Sequence, residues 1–112
     1  MEIRDNENIC IIAPLSAYLG ARECKRLFEE LIQEKRATAI DLKYVSDCSI
    51  EFIEALKDFS KKNKNVGIFN IPSDIFALFN IMNVDRVSSL FVSQIDFEEN
   101  VRQLINRKFS IV

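Results

Sequence analysis

The side chains that could do chemistry in this 112-residue chain are cysteines and carboxylates, because the sequence contains no histidine. That absence excludes Ser-His-Asp and Cys-His catalysis within the chain and removes the commonest metal ligand. The cysteines Cys10, Cys24 and Cys48 are widely spaced and form no Cys-x-x-Cys pair, so we expect neither a disulfide framework nor a zinc site. Cys48 precedes a predicted helix, where a thiol can have a lowered pKa and act as a nucleophile. Because no histidine or lysine adjoins it, a role as a small apolar core residue is favoured.

The carboxylates occupy positions that favour structural roles. Glu29, Glu30 and Glu34 lie on the outer side of a predicted helix, which is typical of a solvated face rather than of paired acid–base catalysis. Asp41 ends a predicted strand and could be an active-site acid, although a turn or capping role is favoured. With only two glycines, the chain has no glycine-rich phosphate loop. We therefore predict no enzymatic activity, no cofactor and no metal site.

Charge and hydropathy restrict the classes of partner. The net charge of −2 comes from 15 basic and 17 acidic residues spread fairly evenly, whereas a nucleic-acid site needs a clustered basic face. The one basic cluster, Lys61, Lys62 and Lys64, falls where a predicted helix ends and complements its dipole. No apolar run approaches the ~20 residues that cross a bilayer, and the first residues lack a signal peptide's basic start and apolar middle. We expect a cytoplasmic chain with one domain over 1–112, no nucleic-acid partner and no direct membrane insertion.

Apolar runs of strand length alternate with apolar residues at helical spacing. The runs predict a strand over 9–13, ended by Pro14, and central strands over 37–42, 65–71 and 89–95. A short strand before residue 9 would complete a hairpin. Helical spacing predicts four helices, near 21–34, 50–62, 73–82 and 96–106. Strands that are apolar throughout are covered by helices, and right-handed crossovers make them parallel, so we predict an α/β fold with a mixed, mostly parallel sheet of four to five strands.

The predicted helices have caps and apolar inner faces. Ser49 caps the second helix, whose inner face is Phe52, Ile53, Leu56 and Phe59. Ser73 and Asp74 open the third helix, whose inner face is Ile75, Leu78, Phe79 and Met82. Asp96 caps the last helix, with an inner face of Phe97, Val101, Leu104 and Ile105. The tail residues Phe109, Ile111 and Val112 alternate as in a strand, and we expect them to dock on the domain or pair with a second copy in a homodimer; a frayed terminus is the alternative.

The order of elements resembles the STAS domain, the fold of bacterial anti-sigma factor antagonists, over essentially the whole chain. Four segments carry the resemblance. "APLSAYLGARECKRLFEELI" resembles the family's strand-to-helix passage, and "AIDLKYVSDCS" resembles its central strand with the pattern Asp-Leu-x-x-Val. "NIPSDIFALFNIMNVDRVSSLFV" resembles its closing strand, turn, short helix and final strand, and "QIDFEENV" resembles the acidic start of its last helix.

The resemblance implies a functional motif, Asp-Ser-Ser/Thr-Gly, at the start of the second helix. In the family, the first serine of this motif is phosphorylated by a partner anti-sigma factor that is a kinase, and phosphorylation abolishes binding. Counted without gaps from Asp41, the motif falls on Ser49, Ile50, Glu51 and Phe52. Ile50 therefore takes the phosphoacceptor position, and Ser49 is the nearest substitute phosphosite.

Two interpretations of Ile50 remain open: it contacts a partner protein, or the site has decayed and the side chain packs on its own domain. The leading hypothesis is a non-catalytic STAS module whose partner is an anti-sigma factor or a serine-kinase regulator in a partner-switching system. Its predicted interface is Tyr44, Ser46, Asp47, Ser49, Ile50, Glu51, Phe52, Ile53, Ser16 and Tyr18. The alternatives are a STAS subunit of a lipid or anion transport system, seated on a cytoplasmic ATPase, and a domain that binds a small ligand at the same turn.

Overall fold

The computed structural model describes residues 1–63 and 65–110, and the side chains of 1–63 and 65–106. The elements are, in chain order, β1 Glu2–Asp5, β2 Ile9–Ala13, β3 Tyr18–Leu19, α1 Ala21–Gln33, β4 Ala37–Asp41, β5 Asp47–Cys48, α2 Ile50–Lys62, β6 Gly67–Phe69, α3 Ser73–Ile81, a 3-10 turn Val84–Arg86, β7 Ser89–Leu90 and α4 Gln94–Ser110.

Five strands form the main sheet in the order β1-β2-β4-β6-β7. β1 is antiparallel to β2, and the other neighbours are parallel, which confirms the predicted α/β class and the hairpin. The hairpin closes at Asn6, whose side-chain oxygen accepts hydrogen bonds from the backbone amides of Asn8 and Ile9. Because the strands β2, β4, β6 and β7 are parallel, their carboxyl ends meet at one edge of the sheet, which we call the carboxyl edge.

The central strands β2, β4 and β6 are buried on both faces, as continuous apolar strands require. Ile12, Ile40 and Ile68 face a cluster that includes buried residues of α1, α2 and α3. Neighbouring strand residues face the opposite way, into a cluster with α4 that contains Ile9, Ile11, Ala39, Phe69, Phe97 and Val101. The helices thus form a layer on each side of the sheet.

Gly67 lies in β6 directly beneath the aromatic side chains of α4 and its preceding turn. A Cβ atom at this position would lie 2.9 Å from the ring of Phe97 and 3.1 Å from that of Phe91. The Phe97 ring also stacks near Phe69, with centroids 6.2 Å apart. Glycine is therefore required here by close packing, because any side chain would push α4 away from the sheet.

The predicted strand over 89–95 is wrong beyond its first two residues. β7 ends at Leu90, and α4 begins at Gln94, before the predicted cap Asp96. Ser93 takes the capping position instead: its Oγ accepts from the Asp96 amide at 3.5 Å, and its carbonyl accepts from the Phe97 amide at 3.2 Å. The strand over 65–71 is also shorter, since Asn70 adopts a left-handed conformation directly after β6.

The inner faces of the helices are mostly as predicted, with four exceptions. All four predicted residues of α2 are buried, but Leu104 of α4 is exposed, and Leu78, Met82 and Ile105 are only half-buried. The short sheet of β3 and β5 was not predicted at all. The backbone of α4 continues to Ser110, so Phe109 is helical rather than strand-like, while Lys64, Ile111 and Val112 lie outside the described residues.

Candidate interaction site at the start of helix α2

Two loops at the carboxyl edge are fastened together by the parallel strands β3 and β5. The backbone amides of Ser46 and Asp47 donate to the Ala17 carbonyl at 2.7 and 3.1 Å, and the Ser49 amide donates to the Leu19 carbonyl at 2.9 Å. The 14–20 loop therefore lies beside the 42–49 loop, and the structure brings the Ser16–Tyr18 part of the predicted interface next to its main segment.

Ser49 and Ile50 form the first turn of α2. The Ser49 hydroxyl accepts a hydrogen bond from the Phe52 amide at 3.1 Å, which confirms the predicted cap. Ile50 is the first helical residue, and 55% of its surface is exposed. An isoleucine at this position gains little from its own domain, because its side chain stays largely in water.

The predicted interface divides into exposed and buried residues. The exposed ones are Tyr18, Tyr44, Ser46, Asp47, Ile50 and Glu51, and Ser16 and Ser49 are half-buried. Phe52 and Ile53 are buried, so their assignment to the interface is wrong. Helical periodicity explains the error: residues two and three positions after Ile50 turn toward the sheet, where Phe52 packs near Phe28 with ring centroids 6.2 Å apart.

Acidic side chains surround Ile50 along the chain. Asp47 lies three residues before it, and Glu51 and Glu54 lie one and four residues after it, all three exposed. None of the three forms an ion pair with any residue that the structure describes. Asp47 has a local role, because its side chain accepts from the Cys48 amide at 2.8 Å. The helix dipole accounts for an acid in the first turn, such as Glu51, but not for Glu54 in the second.

Cys48 is buried in the core beneath this turn. Desolvation raises the pKa of its thiol to about 11, and the charge of Asp47 acts in the same direction. Desolvation likewise raises the pKa of Cys24 to about 11. A nucleophilic cysteine needs a lowered pKa and access to solvent. These properties support the apolar core role for Cys48 and not the nucleophile.

Asp41 is almost fully buried at the end of β4 and is the acceptor at the centre of a polar network. Its carboxylate accepts from Arg4 Nη2 at 2.8 Å, from Asn70 Nδ2 at 3.0 Å and from the Lys43 backbone amide at 3.0 Å. Burial by itself raises the pKa of Asp41, but the hydrogen bonds from Arg4, Asn70 and Lys43 outweigh it and hold the pKa below its usual value. The bond to Lys43 confirms the predicted turn role, whereas the network was not predicted.

Arg4 connects this network to the loop that carries Tyr44 and to α4. Its guanidinium forms an ion pair with Glu2 and donates to Gln94 Oε1 at 2.8 Å. Glu2 in turn accepts from the Tyr44 hydroxyl at 3.1 Å and lies 3.6 Å from Lys43 Nζ. Sequence reasoning missed Glu2 and Arg4, although their spacing of two on a predicted strand places both on one face. No sequence signal identifies Gln94 as their partner.

Known proteins were compared with the chain at the level of sequence and of structure. No family model and no curated protein matches the sequence. Among solved structures, the chain is similar to an anti-sigma-factor antagonist (STAS) domain protein from Planctomyces limnophilus, with a TM-score of 0.71 over 93% of this chain and 97% of that one. The chain has the fold of a STAS domain. The two sequences are 16% identical, so the STAS fold is retained here by the pattern of apolar strands and amphipathic helices more than by shared side chains.

The described residues offer neither a metal site nor a membrane-spanning helix. In the part of the chain that the structure describes, no group of three or more cysteine, aspartate or glutamate side chains is placed to hold a metal ion. Among the helices described, none is both long and apolar enough to cross a membrane. In this STAS fold, the candidate site is the start of α2, because exposed apolar side chains lie there among charged ones.

Proposed function

We propose that this STAS domain is a non-catalytic protein-interaction module, a cytoplasmic regulator similar to anti-sigma factor antagonists that lacks the usual phosphoacceptor serine. The observation that carries the proposal is the exposed Ile50 at the first position of α2. The partner is an anti-sigma factor or a related serine-kinase regulator, and it binds at the 44–51 segment and the adjoining 16–18 loop.

The exposed side chains at this site suit contact with a protein. Ile50, Tyr18 and Tyr44 are large, mostly apolar and exposed, and they belong to two loops held in a fixed relation by β3 and β5. Aromatic residues are enriched in protein interfaces, and a rigid surface loses little conformational entropy on binding. Burying the exposed part of an isoleucine contributes on the order of 1 kcal/mol to binding. Tyr44 is further held by its hydrogen bond to Glu2.

The same turn lacks the chemistry for a phosphorylation switch at Ile50, because isoleucine has no hydroxyl group. Ser49 is the adjacent hydroxyl, and it is engaged as the helix cap with the Phe52 amide. Phosphorylation of Ser49 would require this hydroxyl to leave the amide, at a cost of about 1 kcal/mol for the lost cap. These properties support a binding surface that is not regulated by a phosphate at the family's position.

An affinity capture with three purified proteins tests the proposal. Wild type, Ile50→Asp and Ile81→Asp are immobilised and exposed to a lysate of the cells that make this protein, and bound proteins are identified by mass spectrometry. Ile81 is the last residue of α3 and 75% exposed, so it controls for adding a carboxylate at an exposed isoleucine. We expect one protein to be retained by wild type and by Ile81→Asp but not by Ile50→Asp. Equal retention by all three proteins, or by none, would contradict the proposal.

The identity of the retained protein separates the alternatives. An anti-sigma factor or a serine kinase agrees with the proposed regulator. A transport ATPase retained in the same pattern would keep the interaction surface and replace the regulatory role with that of a transport subunit.

A further inference from the structure

Val92 and Ile95 are two strongly exposed apolar side chains that lie close together in sequence, outside the α2 site. They are 85% and 74% exposed, and they lie in the turn after β7 and in the first turn of α4. Their neighbours Phe91 and Phe97 pack this segment onto the domain. The two rings contact one another with centroids 5.6 Å apart, and Phe97 is buried. Val92 and Ile95 therefore contribute little to the core. Both are β-branched, and β-branched residues have a low helix propensity, so stabilisation of the helix start does not explain their presence.

These two residues lie at the carboxyl edge, as Ile50 does. Val92 follows the carboxyl end of β7, and Ile95 is next to Gln94, which Arg4 Nη2 contacts at 2.8 Å. Arg4 pairs with Glu2, and Glu2 accepts from the Tyr44 hydroxyl. Three consecutive polar contacts thus lead from Tyr44 in the α2 site to Gln94 at the start of α4. Glu2, Lys43 and Arg4 form a charged strip in which Glu2 pairs with both basic side chains. The apolar residues at the α2 site and those at the start of α4 both border this strip.

We propose that Val92 and Ile95 are the second half of the docking surface, so that one partner protein covers them together with Ile50. This inference rests on the proposed function and extends its site across the charged strip of Glu2, Lys43 and Arg4. A specific interface involves about 20 to 30 residues on each side. The two segments of the α2 site, 16–18 and 44–51, fall short of that number, and the exposed apolar residues of the 91–95 turn lie at the same edge of the sheet.

The charges around Ile50 indicate that the occupant is a different protein rather than a second copy. A two-fold contact centred on Ile50 would place Asp47, Glu51 and Glu54 against the same three residues of the copy. None of these carboxylates has an ion-pair partner among the described residues that could offset the repulsion. A partner with lysine or arginine side chains around an apolar centre complements this surface, and its binding weakens as salt increases.

The test uses the purified protein that wild type retains and Ile50→Asp does not. Its dissociation constant is measured by biolayer interferometry against wild type, Ile50→Asp, Ile95→Asp and Ile81→Asp. Ile81 matches Ile95 in type and in exposure, 75% against 74%, but lies at the far end of α3, away from the carboxyl edge. We expect Ile95→Asp to weaken binding by about tenfold or more and Ile81→Asp to change it by less than about twofold. Raising NaCl from about 50 mM to about 500 mM should weaken wild-type binding as well.

The outcomes distinguish this inference from the proposed function. If Ile50→Asp weakens binding and Ile95→Asp behaves like Ile81→Asp, the second half of the surface is refuted and the α2 site stands. If the capture yields no protein that wild type retains and Ile50→Asp loses, the proposed function and this inference both fail. Sedimentation velocity on wild type alone should show a monomer; a dimer that Ile95→Asp or Ile50→Asp dissociates would show that a second copy is the occupant. Circular dichroism of each variant verifies that it is folded.

Discussion

Arg4 and Asp41 are 37 positions apart in sequence, and Arg4 Nη2 lies 2.8 Å from Asp41 Oδ2. Arg4 also contacts Gln94 of α4, and the Asp41 carboxylate accepts from the Lys43 amide. The pair therefore joins strand β1, the start of α4 and the loop that carries Tyr44. Since the Asp41 carboxylate is buried, solvent and salt screen this ion pair only weakly.

Replacing Asp41 with asparagine should destabilise the protein at neutral pH. Asparagine keeps the shape of the side chain but removes the charge opposite Arg4. Removing one partner of a buried ion pair costs about 3–5 kcal/mol, and we expect about 2 kcal/mol here because Arg4 is partly exposed to water. Urea unfolding at pH 7 measures the difference in the free energy of unfolding. A loss below about 0.5 kcal/mol would show that the network does not hold these elements together.

The effect of this substitution should depend on pH in one direction. The pKa of Asp41 is lowered in the folded state, so its contribution to stability is fully present above its unfolded pKa of about 3.9 and is lost as the pH falls through the folded value. The difference between wild type and Asp41→Asn should therefore shrink between pH 7 and about pH 3. Hydrogen bonds from Arg36 lower the pKa of Glu34 to about 2, and its acid-sensitive contribution is the same in both proteins. A difference that stays constant across this range would contradict the assignment.

Ile50→Asp and Phe52→Ala should differ greatly in their effects on stability, although the residues are two positions apart. Ile50 is largely exposed, and an acid at the first position of a helix is favoured by the helix dipole, so its replacement should change the free energy of unfolding by less than about 0.5 kcal/mol. Phe52 is buried against Phe28, and its truncation should cost about 3–5 kcal/mol. Thermal and urea unfolding of both variants measure this. Comparable losses would mean that α2 does not present the faces described.

Ser49→Ala should lower stability by about 1 kcal/mol, because the Phe52 amide loses its hydrogen-bond acceptor. Ser49→Asp restores an acceptor at the same position and should recover most of this loss. If Ser49→Ala leaves stability unchanged, the serine is not the cap of α2 in solution.

The thiols of Cys24 and Cys48 should react slowly in the folded protein. Burial raises the pKa of each to about 11, so almost none of either thiol is ionised at neutral pH. Modification by a disulfide reagent at pH 7.5 should be slow without denaturant and fast in urea. Rapid modification of Cys48 in the folded protein would revive its interpretation as a nucleophile.

The main elements could be predicted because their signals are local. The buried positions of α2, Phe52, Ile53, Leu56 and Phe59, follow from helical periodicity, and the apolar runs around Ile11, Ile40 and Ile68 follow from strands buried on both faces. The boundary between β7 and α4 could not be read in the same way. The run from Leu90 to Ile95 has the composition of a strand, yet the strand ends at Leu90, Phe91 packs onto Phe97, and Val92 and Ile95 are exposed.

The candidate site was predictable only in part, again because the sequence reveals local signals and not contacts between distant segments. Ser49 and Ile50 are identified by a cap pattern and by resemblance, both of which depend on neighbouring residues. The assignment of Phe52 and Ile53 to the interface failed because it treated a helix start as a linear segment and ignored the turn of the helix toward the core. The contacts of Arg4 with Asp41 and Gln94 depend on three distant segments, and no local pattern specifies them.

The central claim is an interaction surface at Ile50 that no phosphate regulates. The most direct measurement is the dissociation constant of the captured partner for wild type and for Ile50→Ser. It is measured before and after each protein is incubated with Mg·ATP and the partner, if the partner is a kinase, or a related anti-sigma kinase. Mass spectrometry then locates any phosphorylated residues. We expect wild type to stay unmodified over 44–53 and to bind equally well in both conditions, whereas Ile50→Ser gains a phosphate and loses affinity. Phosphate on Ser49 of wild type together with loss of binding would contradict the claim.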